Sequence, residues 1–190
     1  MMEVEVRKAC ISGDVNRLRE LLKSDTINLN EVNKYGWTIF HHSCDIGEID
    51  VVVELLKDKR MNVNTLDKFG RTPFYLACLN GNLDLIKILL TNRRVNINGT
   101  RNGGTPLMIA CYSRNIQIVQ YMLCLRGDIS VVDKYQGLSA LDIARAKNDP
   151  ALVKLLESYE KHPQRTIYEL QKELGYFGIS FLFFFFSFSL

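Results

Sequence analysis

Apolar residues fall at helical spacing in a series of short stretches. Leu83, Ile86 and Leu90 share one face of such a stretch, and Ile116, Val119 and Leu123 share one face of the next. A polar residue placed to cap a helix opens each stretch: Asp14, Glu48, Asn82, Asn115 and Asp149 in turn. A shorter helical phrase lies just upstream. Thr38, Thr72, Thr105 and Ser139 stand at its N-cap, followed by Pro73 and Pro106 at the first helical position, where a missing amide costs nothing. Ile39 and Ala140 replace the proline in the other two copies. Gly13, Gly47 and Gly81 end the phrase, as a left-handed terminal residue should. Arg114 and Asn148 hold that place later, and the arginine departs from the pattern. After each second helix comes a polar run of alternating character, NLNEVNKYGW, NVNTLDKFGR, NINGTRNGG or SVVDKYQGL. These runs predict short extended arms that turn at a glycine.

The whole pattern recurs. Its small mid-phrase residue is Ala9, Ser43, Ala77, Ala110 and Ala144, spaced 34, 34, 33 and 34 residues apart. The arm glycine is Gly36, Gly70, Gly103 and Gly137, spaced 34, 33 and 34. A two-helix unit of this length cannot bury its own apolar face, so the period predicts a solenoid of stacked units. The composition agrees, with 47% apolar and 24% charged residues in 190, which is that of a globular chain. A net charge of +3 is too small to call for a nucleic-acid partner, and none is expected. The start, MMEVEVRKAC, lacks the basic and apolar regions of a secretion signal. Five cysteines without a CxxC pair fit a reducing compartment, cytoplasmic or nuclear.

At this point a family likeness emerges. Thr72-Pro73-Phe74-Tyr75-Leu76-Ala77 and Thr105-Pro106-Leu107-Met108-Ile109-Ala110 resemble the T-P-L-H-x-A signature of ankyrin repeats. Thr38-Ile39-Phe40-His41-His42-Ser43 keeps the histidine, and Gly81-Asn82-Leu83-Asp84 is similar to the opening of that family's second helix. The likeness covers about residues 3–159. It implies a mainly α, ankyrin-type solenoid of about five helix-turn-helix units with short β-hairpin arms. The expected division is a repeat domain over 1–159, a capping helix over 160–174 and a low-complexity hydrophobic tail over 175–190. Within the repeat domain the units are a half-repeat at 3–32 and repeats at 33–66, 67–100, 101–132 and 133–159. The first three units carry one extra residue after the second helix (KSDTINLN, KDKRMNVN, TNRRVNIN) and lack the family's glycine there. Asn92 can serve in its unit, and local irregularity is expected at the other turns.

Two clusters invite a chemical reading. His41, His42, Cys44 and Asp45 lie together, but successive helical residues diverge by about 100°, so His41 and His42 cannot chelate one ion. Hydrogen bonding at the helix start is the expected role of His41. Cys10, Cys44, Cys78 and Cys111 follow the small residue in four units and predict a buried ladder, too widely spaced for relaxed disulfides. No phosphate loop, Ser–His–Asp arrangement or carboxylate pair stands out, so no catalysis, cofactor or metal is expected.

The resemblance implies that the hairpin tips and the first helices share a concave, protein-binding side. Carried over by position, the candidate partner-binding residues are Tyr35, Trp37, His42, Asp45, Phe69, Arg71, Leu79, Tyr112 and Tyr135. Aromatic residues and arginine dominate binding energy at interfaces, which favours this side. The competing reading is that Trp37 and Phe69 merely pack on a neighbouring hairpin.

His162-Pro163 breaks the pattern, and Thr166 to Glu169 reads as a capping box opening a helix to about Leu174, with Ile167, Leu170 and Leu174 covering the last repeat. The final GISFLFFFFSFSL is charge-free and shorter than the ~20 residues of a membrane helix. It reads either as a tail anchor or, preferably, as a translated thymine-rich non-coding run. The expected function is a monomeric protein–protein interaction module, membrane-bound only if the tail inserts. The alternatives are the regulatory or targeting part of a larger enzyme, and a tail-anchored membrane adaptor.

Overall fold

The computed structural model describes residues 2–100, 104–125, 129 and 136–176. Among them, eleven helices follow one another, the first ten as antiparallel pairs: α1 (Met2–Ser12) with α2 (Val15–Leu22), α3 (Ile39–Ile46) with α4 (Ile49–Lys57), α5 (Pro73–Asn80) with α6 (Leu83–Thr91), α7 (Pro106–Tyr112) with α8 (Ile116–Leu125), and α9 (Ala140–Ala146) with α10 (Pro150–Lys161). A final helix, α11 (Pro163–Glu173), follows. The first helices of the pairs pack side by side in the order α1, α3, α5, α7, α9, and α2, α4, α6 and α8 form a second layer.

Local chemistry explains these short helices. The hydroxyls of Thr38, Thr72, Thr105 and Ser139 each accept the amide three residues on. Gly47 and Gly81 close α3 and α5 with φ of 86° and 75°. Arg114 and Asn148 adopt the same left-handed turn with φ of 56° and 52°. The departure at Arg114 acquires a local partner, since its Nε lies 3.5 Å from the Asp149 carboxylate of the next unit. Asp14, Asn82, Asn115 and Asp149 cap the second helices as expected. Glu48 makes no side-chain cap; its carboxylate lies over Gly13 of the preceding pair instead.

Stacking buries equivalent residues in rows. Val6, Phe40, Phe74, Leu107 and Leu141 form one buried row, and Leu21, Leu55, Leu89, Met122 and Leu156 another. Ala9, Ser43, Ala77, Ala110 and Ala144, all buried, let the first helices approach. Each large side chain so buried contributes about 1.5–3 kcal/mol, and a pair cannot bury its apolar face alone, so the pairs are stable as a stack.

The turns after α4 and α6 contain no glycine, and the structure resolves how they close. Asn92 is extended (φ −86°, ψ 112°), not left-handed, and so does not replace the glycine; Asp58 is extended too. Their Oδ1 atoms accept the amides of Arg94 and Arg60. The two arginines then reach back one unit. Arg60 donates to the carbonyls of Ser24 (2.8 Å) and Leu22 (2.9 Å). Arg94 donates to those of Leu56 (3.1 Å), Asp58 (3.2 Å) and Met61. In the longer units a guanidinium thus lies over a carbonyl of the helix end, Leu22 or Leu56, and over carbonyls of the turn that follows it. Irregularity was expected here; what forms is a repeated device.

An asparagine ladder continues the stitching. Asn30 Nδ2 donates to Arg60 O and its Oδ1 accepts Asn62 N. Asn64 makes the same two bonds to Arg94 O and Asn96 N. The arms themselves close as side-chain-anchored turns. Asn33 Oδ1 accepts the amides of Tyr35 and Trp37, and Asp67 Oδ1 those of Phe69 and Arg71. A strand-type pairing that forms between arms is the isolated antiparallel bridge Arg71–Thr100. Regular hairpin strands do not develop there because the Asn and Asp side chains take the amides.

The last helix starts earlier than the sequence predicts. Pro163 is its first residue, and Thr166 lies inside it, its hydroxyl bonded to His162 O at 3.0 Å. Thr166 is therefore not the cap. The predicted face holds: Leu170 is buried and Ile167 and Leu174 pack on the core. The helix lies on both α10 and α8, and Tyr176 meets Tyr121 edge-on at 5.8 Å.

Candidate functional site

The arms preceding α3 and α5 meet around one buried carboxylate. Gly36 and Gly70 allow the chain to turn with positive φ, and Lys68 N donates to Tyr35 O at 3.0 Å, locking arm to arm. Asp67, its side chain fully buried, then receives four donors. Its Oδ1 takes the amides of Phe69 and Arg71, and its Oδ2 takes Trp37 Nε1 at 3.0 Å and Arg71 Nε at 2.8 Å. Burial opposes ionisation of Asp67, but the Arg71 side chain, its amide and its charge, with Trp37, outweigh burial and hold the carboxyl below its usual range. A carboxylate so satisfied is a fixed anchor.

The rings around this anchor form a cleft. Asn33, Tyr35, Trp37, His42, Phe69 and Arg71 line about 320 Å³. The Arg71 guanidinium lies 4.8 Å from the Phe69 centroid and 5.9 Å from that of Trp37. His42 meets Trp37 edge-on at 4.9 Å, and Asn33 Nδ2 lies 3.1 Å from His42 Nε2. Because the polar atoms bond one another, the open lining is almost wholly apolar.

Of the other candidates, Tyr35 (52% exposed), Phe69 (63%) and Tyr112 (57%) stand out from the surface, and Leu79 is exposed as well. Leu79 and Tyr112 occupy the same position in successive first helices, as do Ile11 and Asp45. Asp45 is half-buried and accepts Asn80 Nδ2 from the next helix. Lys147 places its ammonium 3.5 Å from the Tyr112 ring centroid, a contact the sequence reading did not anticipate. Tyr135 lies outside the described residues. Trp37 does pack on the neighbouring arm, through Asp67 and Arg71, and is half-buried; Phe69 packs only its face on Arg71. Asn33 and Asp67, which organise the cleft, were missed. Their signal was the pair NKYGW and DKFGR, in which an Asx residue starts the turn four residues before its end.

His41 has the role foreseen for it. Thr38 N donates to its Nδ1 at 3.1 Å, which leaves Nε2–H to donate to Arg71 O at 3.3 Å. Burial lowers the pKa of His41, and also that of His42. Cys10, Cys44, Cys78 and Cys111 are buried free thiols of successive first helices, and Cys124 of α8 is a buried free thiol too. Burial pushes Cys10 and Cys111 up to about 12, Cys124 to about 11, and Cys44 and Cys78 upward as well. Thiols so raised are poor nucleophiles. Among the described residues, no group of three or more His, Cys, Asp or Glu side chains is placed to hold a metal ion, and no helix is long and apolar enough to cross a membrane.

Stacked helix pairs joined by anchored arms define a repeat solenoid, and solenoids offer extended surfaces rather than catalytic pockets. The family described as Ankyrin repeats (3 copies) matches residues 47–133 and 94–167, together well over half of the chain. The chain belongs to the ankyrin repeat family, whose members are generally protein–protein interaction modules. The comparison with curated proteins gave no match.

Proposed function

We propose that the chain binds another protein through the side formed by its arm tips and first helices, with Tyr35, Trp37, His42, Asp45, Phe69, Arg71, Leu79, Tyr112 and Tyr135 as the contact set. The observation that carries this reading is the exposure of Tyr35, Phe69, Leu79 and Tyr112, large apolar side chains at recurring positions of adjacent units. Large exposed apolar groups in a row mark interaction sites more often than chance surface. The repeat array over 1–159 supplies the surface, and the helix over 160–174 covers its end. The chain acts as a monomer without catalysis, in the cytoplasm or nucleus; an odd number of cysteines without a CxxC pair supports a reducing compartment.

The test is a photo-crosslinking amino acid placed in the full chain at Phe69 or at Tyr112, with exposed Asp50 on the second-helix layer as control. Protein adducts from the first two positions and none from Asp50 are expected. Adducts from Asp50 alone would put the partner on the other side.

A further inference from the structure

We infer that the cleft between the first two arms takes one apolar side chain of an extended, acidic partner segment, whose carboxylates meet the cationic arm tips; this rests on the protein-binding reading above. The open lining of the cleft is almost wholly apolar. Trp37 Nε1 and the Arg71 guanidinium are committed to Asp67, and Asn33 is shared between its own turn and His42. What it presents is the faces of Trp37, Tyr35 and Phe69, with an opening of about 320 Å³, room for a large side chain but not for a folded element.

Its rim has the opposite character. Lys34 and Lys68 sit at the two tips, each directly before the exposed aromatic of its arm, and both are exposed. Neither has a carboxylate within ion-pair distance among the described residues, whereas Arg60, Arg71 and Arg145 are all paired. In sequence the corresponding place holds Arg101 in the third arm and Tyr135 in the fourth, so no Asp or Glu occupies it in any copy. The two tips that flank the cleft thus each carry one cation. Packed helices lie about 8–10 Å apart, and an extended chain advances ~3.3 Å per residue. A carboxylate at every third residue therefore keeps step with the tips. A nucleic-acid backbone carries charge far more densely than one cation at each tip could neutralise, and the open lining of the cleft is almost wholly apolar.

Trp37 is the only tryptophan of the chain, so its fluorescence reads the cleft alone. The full chain is titrated with a synthetic peptide of about twelve residues bearing glutamate at every third position, one phenylalanine between the first two glutamates, and serine elsewhere. Saturable change in Trp37 emission is expected, weakened about tenfold or more by exchanging the phenylalanine for serine, by lysine in place of glutamate, or by the pair Lys34→Glu and Lys68→Glu. Raising salt from about 0.05 to about 0.5 M should weaken it too. Phe69→Ala, an exposed position, should lose binding while the circular dichroism stays unchanged. Equal affinity for the lysine peptide, binding that leaves Trp37 silent, or tighter binding of a single-stranded oligonucleotide would overturn the inference. No response to the peptide, beside crosslinked protein at Tyr112, would remove the acidic segment and leave the protein-binding reading standing.

Discussion

The indole Nε1 of Trp37 donates to the buried Oδ2 of Asp67 at 3.0 Å, across 30 residues of sequence and from one arm to the next. The same oxygen accepts Arg71 Nε, so tip, anchor and guanidinium form one unit. Removing the hydrogen bond while keeping a ring, with Trp37→Phe, should cost about 1.5–3 kcal/mol, the range for bonds to a charged acceptor. Asp67→Leu, which strands Arg71 and two amides, should cost about 3–5 kcal/mol. Urea denaturation followed by circular dichroism measures both. Equal and small effects would show that Asp67 is not the anchor.

Arg60 and Arg94 share a neighbour. Arg60 pairs with the Asp58 carboxylate, and Arg94 bonds the Asp58 carbonyl. Each of Arg60→Ala and Arg94→Ala should destabilise by about 1–3 kcal/mol, because helix-end carbonyls lose their donors. The double variant should deviate from the sum by about 0.5 kcal/mol or more, since the sites touch. Strict additivity in a double-mutant cycle would mean that the two turns act independently.

Gly36 and Gly81 are both left-handed, with φ of 81° and 75°, yet they differ in surroundings. A Cβ on Gly36 would sit 2.9 Å from Lys68 N, whereas on Gly81 its nearest neighbour is the Asn115 side chain at 3.5 Å. Gly81→Ala should cost about 1–2 kcal/mol of backbone strain. Gly36→Ala should cost clearly more, because the arms must also part. Thermal melts that rank the two the other way would exclude close approach as the reason for Gly36.

Acid should weaken the stack in two steps. Burial lowers the pKa of His41, so the unfolded chain binds more protons around and below the ordinary histidine value, near 6.5. Stability from His41 is therefore full above that value and is lost as pH falls toward the lower folded pKa. Asp67 has the same sign in a lower window, with its contribution full above the ordinary aspartate value, near 3.8, and lost below it. The melting temperature should fall between about pH 7 and pH 5, and fall again below about pH 4. His41→Met, which installs the residue that Met108 supplies at the same place two units on, should flatten the upper step. An unchanged upper step in this variant would assign it to another group, with His42, also lowered, the first to test.

The fold was legible because its causes are local and periodic. Thr38, Thr72, Thr105 and Ser139 cap their helices through bonds to amides three residues away, and the spacing of Ala9, Ser43, Ala77, Ala110 and Ala144 fixes the stack. Even His41 could be read, since its bond to Thr38 spans one turn. The start of α11 was misplaced because Thr166 and Pro163 both offer start signals, and proline at the first position prevailed.

The amino-acid sequence by itself thus determined the helices, whose caps act within a few residues, and the period at which the small residue of the first helix recurs. Only the tertiary structure decided how one unit grips the next. Arg60 over Leu22 and Ser24, Asn64 on Arg94 and Asn96, and Trp37 on Asp67 join atoms 30 to 38 residues apart. Such pairs exist only once stacking has set the register between units, because the same side chains in an unstacked unit would be solvated by water.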